Sequence, residues 1–397
     1  MSINLDEIHN YKGMYSNKWS FCREKTGEED VLAMWIADMD FETAPAIKKV
    51  MLERAQTAIY GYAATNAEYD AAVIGWFTKR HGWKFTPDQI LQTPGVVSAL
   101  TIGVQAFSAD GDGVLILTPV YHPFFRLIRH TKRKLVESAL VETAGGYAVD
   151  FEDFEKKIIE QKPKVFILCN PHNPVGKVFS REELLQLGEI CLRHKVIILS
   201  DEIHSDIVYR DAKHVPLATV AESIAQNTVV CTALSKTFNI AGLQNSNIII
   251  PNPALRERFQ AMQAYFGYPH ISLFPVPVTI AAYQKGEGWL DEVLQYIEKN
   301  RDFALEYIKR NLPELKVFKP QGTYFLWLDF RAYGLTKEEL EAFLLHEAKV
   351  WFNQGYIFGR EGEGFARMNI ACPRSLVEKA LLRIKAATLN LKKRNVK

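Results

Sequence analysis

Two apolar runs decide the fold of this 397-residue chain: KVIILSDEIH at residues 195–204 and TVVCTALSKTF at residues 228–238. Each run starts with consecutive aliphatic residues, without polar alternation, and ends abruptly in polar or ionisable residues. Unbroken apolar runs of this length are typical of strands buried on both faces of a parallel sheet. Because ligands bind at the carboxyl ends of such strands, we expect Asp201, His204, Ser235 and Lys236 to face one site.

Three further runs of the same kind support an α/β fold: VLILTP (114–119), KVFILCNP (164–171) and SNIIIP (246–251). Helical patterns alternate with the runs between about residues 50 and 285, which predicts a mostly parallel sheet. After residue 287 come a long amphipathic helix, paired strands within KVFKPQGTYFLWLDF and a last strand at FARMNIAC. We therefore predict an N-terminal arm and part of a small domain at 1–48, a large domain at 49–286, and the rest of a small α+β domain at 287–397.

The composition favours a globular protein that acts on a small molecule. Hydrophobic residues make up 48% and charged residues 24%, which excludes disordered and fibrous classes. The net charge of +2 gives no indication of a nucleic-acid or membrane partner. The five cysteines lack CxxC spacing, no HExxH motif is present, and the first residues do not resemble a signal peptide. We expect a cytoplasmic protein without a metal site.

Lys236 and Asp201 are the strongest candidates for chemistry. A lysine at a strand end can form a Schiff base if burial lowers its pKa, although an isolated lysine is more often a solvated surface charge. Asp201 supplies the kind of carboxylate that pairs with the protonated pyridine nitrogen of pyridoxal phosphate, although SDE alone is more often a helix N-cap. The two residues together therefore point to that cofactor.

Three other motifs are suited to binding the same cofactor. In TPGVVSALTIGVQAF (93–107), a Pro-Gly turn opens a predicted helix, whose first N–H groups at Val96, Val97 and Ser98 suit an anion. An ordinary turn and cap is an equal alternative there. Tyr121 follows a strand and is either a stacking partner for a flat ring or a core tyrosine. The turn NPHNPVG (170–176) is suited to aim the Asn173 amide, but Asn-Pro loops are common.

The motifs Gly95-Val96, Tyr121, NPHNPVG, SDEIH, SKTFNIAGLQ and FARMN occur in one order along the chain. In that order they resemble the pyridoxal-phosphate enzymes of the aspartate aminotransferase fold, fold type I, over nearly the whole chain. MWIADMDF (34–41) and YGY (60–62) narrow the resemblance to the MalY/PatB-type carbon–sulfur lyases, whose best known activity is cystathionine β-lyase. The resemblance implies β-elimination from cystathionine or a related S-substituted cysteine, in a homodimer with shared active sites.

The resemblance also implies a role for each matching residue. Lys236 would bind pyridoxal phosphate covalently and move a proton, and Asp201 would pair with the pyridine nitrogen. Tyr121 would stack on the ring, and Arg367 in FARMN would bind the substrate carboxylate. The remaining cofactor-binding residues would be Asn173 and His204 near the ring oxygen, Val96, Val97 and Ser235 at the phosphate, and Tyr62 of a neighbouring subunit, with Tyr60 as the second choice.

The sequence departs from the wider family pattern at two places. Gln244 stands where many relatives place an arginine for the phosphate, and NQGYIFG (353–359) lacks a proline that relatives often have before the glycine. An aminotransferase remains the nearest alternative function, because the catalytic motifs do not separate transamination from elimination. A regulatory protein that has retained the fold is a second alternative. A nicotinamide dehydrogenase is disfavoured because no strand leads into GxGxxG.

Overall fold

The computed structural model describes residues 3–395 except residues 12, 21, 29, 269 and 270. The strands are β1 Leu32–Ala33, β2 Ile90–Thr93, β3 Gly113–Thr118, β4 Lys134–Thr143, β5 Gly146–Val149, β6 Val165–Cys169, β7 Ile197–Asp201, β8 Thr228–Thr232, β9 Ser246–Ile249, β10 Lys316–Val317, β11 Phe325–Asp329, β12 Val350–Trp351, β13 Asn353–Gln354 and β14 Phe365–Asn369.

The helices surround these strands and connect them. They are α1 Cys22–Thr26, α2 Pro45–Gln56, α3 Ala67–His81, α4 Val96–Phe107, α5 Pro123–His130, α6 Phe151–Gln161, α7 Arg181–Arg193, α8 Glu222–Ala225, α9 Leu234–Thr237, α10 Pro253–Tyr265, α11 Pro275–Lys285, α12 Glu287–Asn311, α13 Lys337–Ala342 and α14 Arg374–Asn395. The chain fixes several helix starts locally, as at Ser180, whose hydroxyl accepts from the Glu183 backbone N–H. No helix in the described part of the chain combines the length and apolarity needed to span a bilayer.

The larger sheet has eight strands in the order β2-β9-β8-β7-β6-β3-β4-β5. Strands β8, β7, β6, β3 and β4 run parallel, whereas β9 and β2 at one edge and β5 at the other are antiparallel to their neighbours. The five apolar runs named above form β3, β6, β7, β8 and β9, so the predicted α/β fold with a mostly parallel sheet is confirmed. Strands β2, β4 and β5 are not predicted from the sequence.

Burial on both faces explains why the central strands show no alternation of apolar and polar residues. Every residue of β3, β6 and β8 is buried, because α4, α5 and α10 pack on one face of the sheet and α6 and α7 pack on the other. Strand β4 lies closer to an edge and alternates between buried and exposed residues along part of its length. The sheet therefore holds the carboxyl ends of β6, β7 and β8 in a rigid row.

A smaller sheet is formed by the C-terminal third of the chain, in the antiparallel order β10-β11-β14-β13. Near it, β1 pairs in parallel with β12, with Leu32 opposite Val350. This pairing places the segment that follows β1, residues 34–41, against β14, where the Met34 carbonyl accepts from the Asn369 N–H at 2.8 Å. Residues from both ends of the chain thus meet beside the larger sheet.

Candidate active site

A cavity of about 190 Å³ lies at the carboxyl ends of the parallel strands. Most of the residues singled out by the sequence line it: Val96, Val97, Tyr121, Asn173, Asp201, His204, Ser235 and Lys236. They come from the ends of β6, β7 and β8, from the turn after β3 and from the start of α4. As expected from the strand ends, Asp201, His204, Ser235 and Lys236 lie together, and the start of α4 lies beside them.

Lys236 lies in the short helix α9, directly after β8. Its Nζ donates a hydrogen bond of 2.7 Å to the Ala37 carbonyl in the segment after β1. Burial lowers the pKa of the Lys236 amine, and the Arg367 charge lowers it further, while Asp38 and Asp201 act in the opposite direction. A lowered pKa favours the neutral amine, which is the form that acts as a nucleophile and as a base.

Asp201 ends β7, and Cys169 of β6 and Cys231 of β8 flank it in register. Its Oδ1 accepts from the Ile203 N–H at 3.2 Å. Burial raises the pKa of Asp201 to about 7, with a further contribution from Glu202, and the Ile203 bond and the Lys236 charge only partly oppose that rise. A cation placed against this carboxylate would stabilise its ionised form, which is what a protonated pyridine nitrogen provides.

The start of α4 forms the opposite end of the cavity. Gly95 precedes the helix with a φ of 111°, a conformation that residues with a side chain rarely adopt. The first-turn N–H groups, at Val96, Val97 and Ser98, have no acceptor within the helix and lie at its positive end. Ser235 and the neutral Gln244 complete this wall. The arrangement fits a phosphate group.

Arg367 lies on β14 and is 2% exposed. Its guanidinium donates at 2.8 Å to Asn173 Oδ1, at 2.8 Å to the Trp35 carbonyl, and also to Asn353 Oδ1. Burial lowers the pKa of Arg367 to about 10, so it is a cation at neutral pH, and no carboxylate within the described residues lies at salt-bridge distance. A buried cation that lacks a counterion is suited to bind a substrate carboxylate.

Three neutral side chains complete the cavity. Because Asn173 Oδ1 accepts from Arg367, the NH₂ group of the same amide remains to donate to a ligand oxygen. Burial raises the pKa of Tyr121 to about 12 and lowers the pKa of His204 to about 3, so both stay uncharged. His204 Nδ1 is buried without a hydrogen-bond partner among the described residues. These groups fit the ring and phenolic oxygen of pyridoxal phosphate.

Tyr60 and Tyr62 lie outside the cavity of their own chain. Tyr62 is 95% exposed. The Tyr60 hydroxyl donates at 2.7 Å to the Ala55 carbonyl, and its ring stacks on Phe274 with centroids 6.4 Å apart. Within one chain, therefore, neither tyrosine reaches the phosphate end of the cavity.

Sequence reasoning missed two features that support Lys236. The first is the Ala37 carbonyl, which accepts from Lys236 and also from the Tyr324 hydroxyl at 2.9 Å. The second is Asp206, which accepts from the Thr237 hydroxyl at 2.9 Å, as well as from Trp76 and from His81. Asp206 thereby ties the turn after β7 to the helix that carries Lys236. In the sequence, MWIADMDF carries only the family resemblance, and the signal for Asp206 is its position five residues after Asp201.

Comparison with known proteins agrees with this geometry. Residues 29–384 match the family model described as aminotransferase class I and II. The chain is 45% identical to cystathionine β-lyase PatB of Bacillus subtilis, covering 97% of this chain and 100% of that protein. It is 33% identical to protein MalY of Escherichia coli, covering 96% and 97%. The crystal structure of cystalysin from Treponema denticola, which contains pyridoxal 5′-phosphate, superposes with a TM-score of 0.96 at 35% identity, covering 98% of this chain and 100% of that one.

Proposed function

Because this chain belongs to the aminotransferase class I and II family, we propose that it is a pyridoxal-phosphate-dependent carbon–sulfur β-lyase. It cleaves L-cystathionine or related S-substituted cysteines to a thiol, pyruvate and ammonia. The observation that carries the proposal is a buried amine, Lys236, within electrostatic reach of the Asp201 carboxylate and the Arg367 guanidinium, neither of which has a salt-bridge partner among the described residues. The MalY/PatB-type relatives favour elimination over transamination.

The cofactor would be held by residues from three elements. The first-turn N–H groups of α4 and the Ser235 hydroxyl would bind the phosphate, Lys236 would bind the cofactor covalently, and Asp201 would pair with the pyridine nitrogen. Asn173 and His204 would contact the ring oxygen, and Tyr121 would stack on the ring. When bound, pyridoxal phosphate supplies an electron sink for the charge that develops at the substrate α-carbon.

Lys236 handles the proton in the reaction. Its lowered pKa favours the neutral form of the amine, and the neutral amine removes the proton from the substrate α-carbon. The bond between the β-carbon and sulfur then breaks, and the sulfur leaves with the electron pair and takes up a proton as the thiol. The remaining three-carbon fragment is hydrolysed to pyruvate and ammonia.

Arg367 and its neighbours orient the substrate. The guanidinium is fixed by Asn173, Asn353 and the Trp35 carbonyl, and its carbon lies 4.0 Å from the centroid of the Phe325 ring. If the substrate carboxylate binds this fixed guanidinium, the amino acid is held in one orientation over the cavity. The same contacts exclude water from the guanidinium and so strengthen the attraction.

The test is incubation of the purified holoenzyme with L-cystathionine and S-substituted cysteines, with and without a keto acid. If the enzyme is a lyase, it should release thiol and pyruvate in equal amounts without a keto acid as acceptor. An absolute requirement for a keto acid, with no thiol released, would instead assign an aminotransferase. A Lys236→Ala variant serves as the control, because it keeps the cavity but lacks the amine.

We also propose that the enzyme is a homodimer in which Tyr62 reaches the phosphate of the neighbouring subunit. Its exposure of 95% and its position outside its own cavity support this assignment over the alternative of Tyr60. Mixing Tyr62→Phe subunits with Lys236→Ala subunits tests it, since one heterodimer site would carry both lesions and the other would be intact. Activity should then reappear, and heterodimers without activity would exclude a shared site.

Two further assignments, the cellular location and the domain boundaries, accompany this proposal. We place the enzyme in the cytoplasm, since Cys169, Cys191, Cys231 and Cys372 are buried thiols that form no disulfide bond. We also propose a domain boundary at 286/287, since the eight-stranded sheet falls within residues 90–249 and the four-stranded sheet within 316–369. The boundary expected at 48/49 is not kept, because it would divide helix α2, Pro45–Gln56. Limited proteolysis of the holoenzyme, with the fragments identified by mass, would test the boundary at 286/287.

A further inference from the structure

The segment MWIADMDF, residues 34–41, contacts the catalytic lysine through its main chain. It lies between β1 and α2, and Ala37 lines the cavity. The Ala37 carbonyl accepts hydrogen bonds from the Lys236 amine at 2.7 Å and from the Tyr324 hydroxyl at 2.9 Å. The direction of this one carbonyl therefore bears on where the amine lies.

Asn369 holds the carbonyls on either side of Ala37. Its Nδ2 donates at 2.7 Å to the Ile36 carbonyl and at 2.8 Å to the Asp38 carbonyl, and these two bonds use both protons of the NH₂ group. Its Oδ1 accepts from the Ala371 N–H at 2.7 Å, so the amide is bonded at both ends. With its two neighbours held by Asn369, the Ala37 carbonyl is directed to the amine in the cavity.

The smaller sheet fixes Asn369 in turn. Asn369 is buried and ends β14, which pairs with β11. Its N–H donates at 2.8 Å to the Met34 carbonyl. Arg367 lies two residues earlier on the same strand and donates at 2.8 Å to the Trp35 carbonyl. The strand that carries the substrate-binding arginine therefore also fixes the path of the segment beside Lys236.

A fixed acceptor matters because Lys236 has a long and flexible side chain. When the amine acts as a base, its lone pair must point at the substrate α-carbon. An amine that donates one N–H to a fixed carbonyl has fewer orientations available, and a misplacement of about 1 Å can cost about a hundredfold in rate.

We infer that Asn369 is a positioning residue for Lys236. By holding the carbonyls of Ile36 and Asp38, it directs the Ala37 carbonyl to the amine and keeps the amine in place for proton transfer. The inference rests on the part of the proposed function that makes Lys236 the base. It does not depend on whether the reaction ends in elimination or in transamination.

The chain offers a matched control in Asn300 on α12. Like Asn369, Asn300 is buried, and its amide donates to two carbonyls and accepts one bond. Its partners are Ile370, Cys372 and Arg374. Replacing either asparagine by alanine should lower the melting temperature by a similar amount, so an effect on the base should separate the two variants.

The first assay is exchange of the α-proton of L-alanine in D₂O, followed by NMR with each holoenzyme. L-alanine has no leaving group on its β-carbon, so exchange reports proton removal without elimination. Asn369→Ala should lower kcat about tenfold, because a fraction of an ångström of misplacement is enough. KM should change little, because Arg367 keeps its other contacts. Asn300→Ala should leave both constants unchanged. If an alanine variant does not fold, Asn369→Ser and Asn300→Ser replace the pair.

The second assay uses the cofactor-free proteins. Lys236 is acylated at one fixed pH with an N-hydroxysuccinimide ester, and the rate is measured by mass spectrometry of the peptide that contains it. Acylation should be several-fold faster in Asn369→Ala, because the amine is no longer held at the Ala37 carbonyl, and unchanged in Asn300→Ala.

An unchanged kcat in Asn369→Ala, an equal fall in Asn300→Ala, or unchanged acylation would overturn the inference. A different result would refute the proposed lyase alone. If the wild-type enzyme exchanges the α-proton of L-alanine but releases no thiol from any S-substituted cysteine, it is not a lyase, and the role of Asn369 still stands on the two assays.

Discussion

Replacing Asp201 by asparagine should stabilise the protein when the cofactor has been removed. In that state Asp201 is buried with no cation at salt-bridge distance among the described residues, and burial raises its pKa from 3.8 to about 7. This rise in pKa means that ionising Asp201 costs about 4 kcal/mol more in the folded protein than in the unfolded chain. Asparagine has nearly the same volume, keeps an acceptor for the Ile203 N–H, and carries no charge to desolvate.

The pH dependence of this effect has a defined sign. The folded-state pKa of Asp201 is raised above its unfolded value, so the wild-type protein loses stability as the pH rises between about 4 and 7. Below pH 4 the carboxyl group is protonated in both states, and the two proteins should have similar stability. Above pH 7 the asparagine variant should have the full advantage, which corresponds to a melting temperature about 5 °C higher for a chain of this length.

The assay is thermal unfolding of both proteins without cofactor, from pH 4 to pH 8, followed by the same scan with pyridoxal phosphate. Binding of the cofactor should reverse the order, because its protonated nitrogen pairs with aspartate and not with asparagine. Asp206→Asn is the matched control: it also changes a buried aspartate, but the His81, Arg80 and Thr237 contacts lower the pKa of Asp206 against the effect of burial. For the Asp206→Asn variant, the free energy of unfolding should fall by about 3 kcal/mol. The reasoning is wrong if Asp201→Asn melts at or below the wild type at pH 8.

The remaining predictions concern the other parts of the site. Borohydride reduction of the holoenzyme, followed by peptide mapping, should place the pyridoxyl group on Lys236, and a label on any other lysine would exclude this role. Arg367→Gln should raise KM for amino-acid substrates about a hundredfold through loss of a bidentate charged contact, while the cofactor affinity measured by absorbance titration changes little; an equal loss of cofactor affinity would assign Arg367 a structural role. Gly95→Ala should weaken cofactor binding by about 1–3 kcal/mol, because alanine resists a φ of 111°, and an unchanged dissociation constant would remove this turn from the phosphate site.

The site residues at strand ends could be predicted from the sequence because their position depends on local pattern. The apolar runs before Asp201 and Lys236 are long enough to identify buried strands, and parallel strands place their carboxyl ends at one edge. Strands β2 and β4 escaped prediction for the same reason. Strand β4, next to the edge strand β5, is partly exposed and alternates in polarity, and β2 (ILQT) has only two apolar residues, so neither produces a strong apolar run.

The sequence by itself determined the α/β fold, the row of side chains at the strand ends and, through the motifs, the family. Only the tertiary structure decided which distant groups support them. Arg367 bonds to Asn173, 194 residues away, and Lys236 bonds to the Ala37 carbonyl, 199 residues away. The lowered pKa of Lys236 and the raised pKa of Asp201 have the same origin, because each follows from burial by elements that no local window contains. Local pattern fixes where a strand ends, whereas long-range packing fixes how much water its last residue retains.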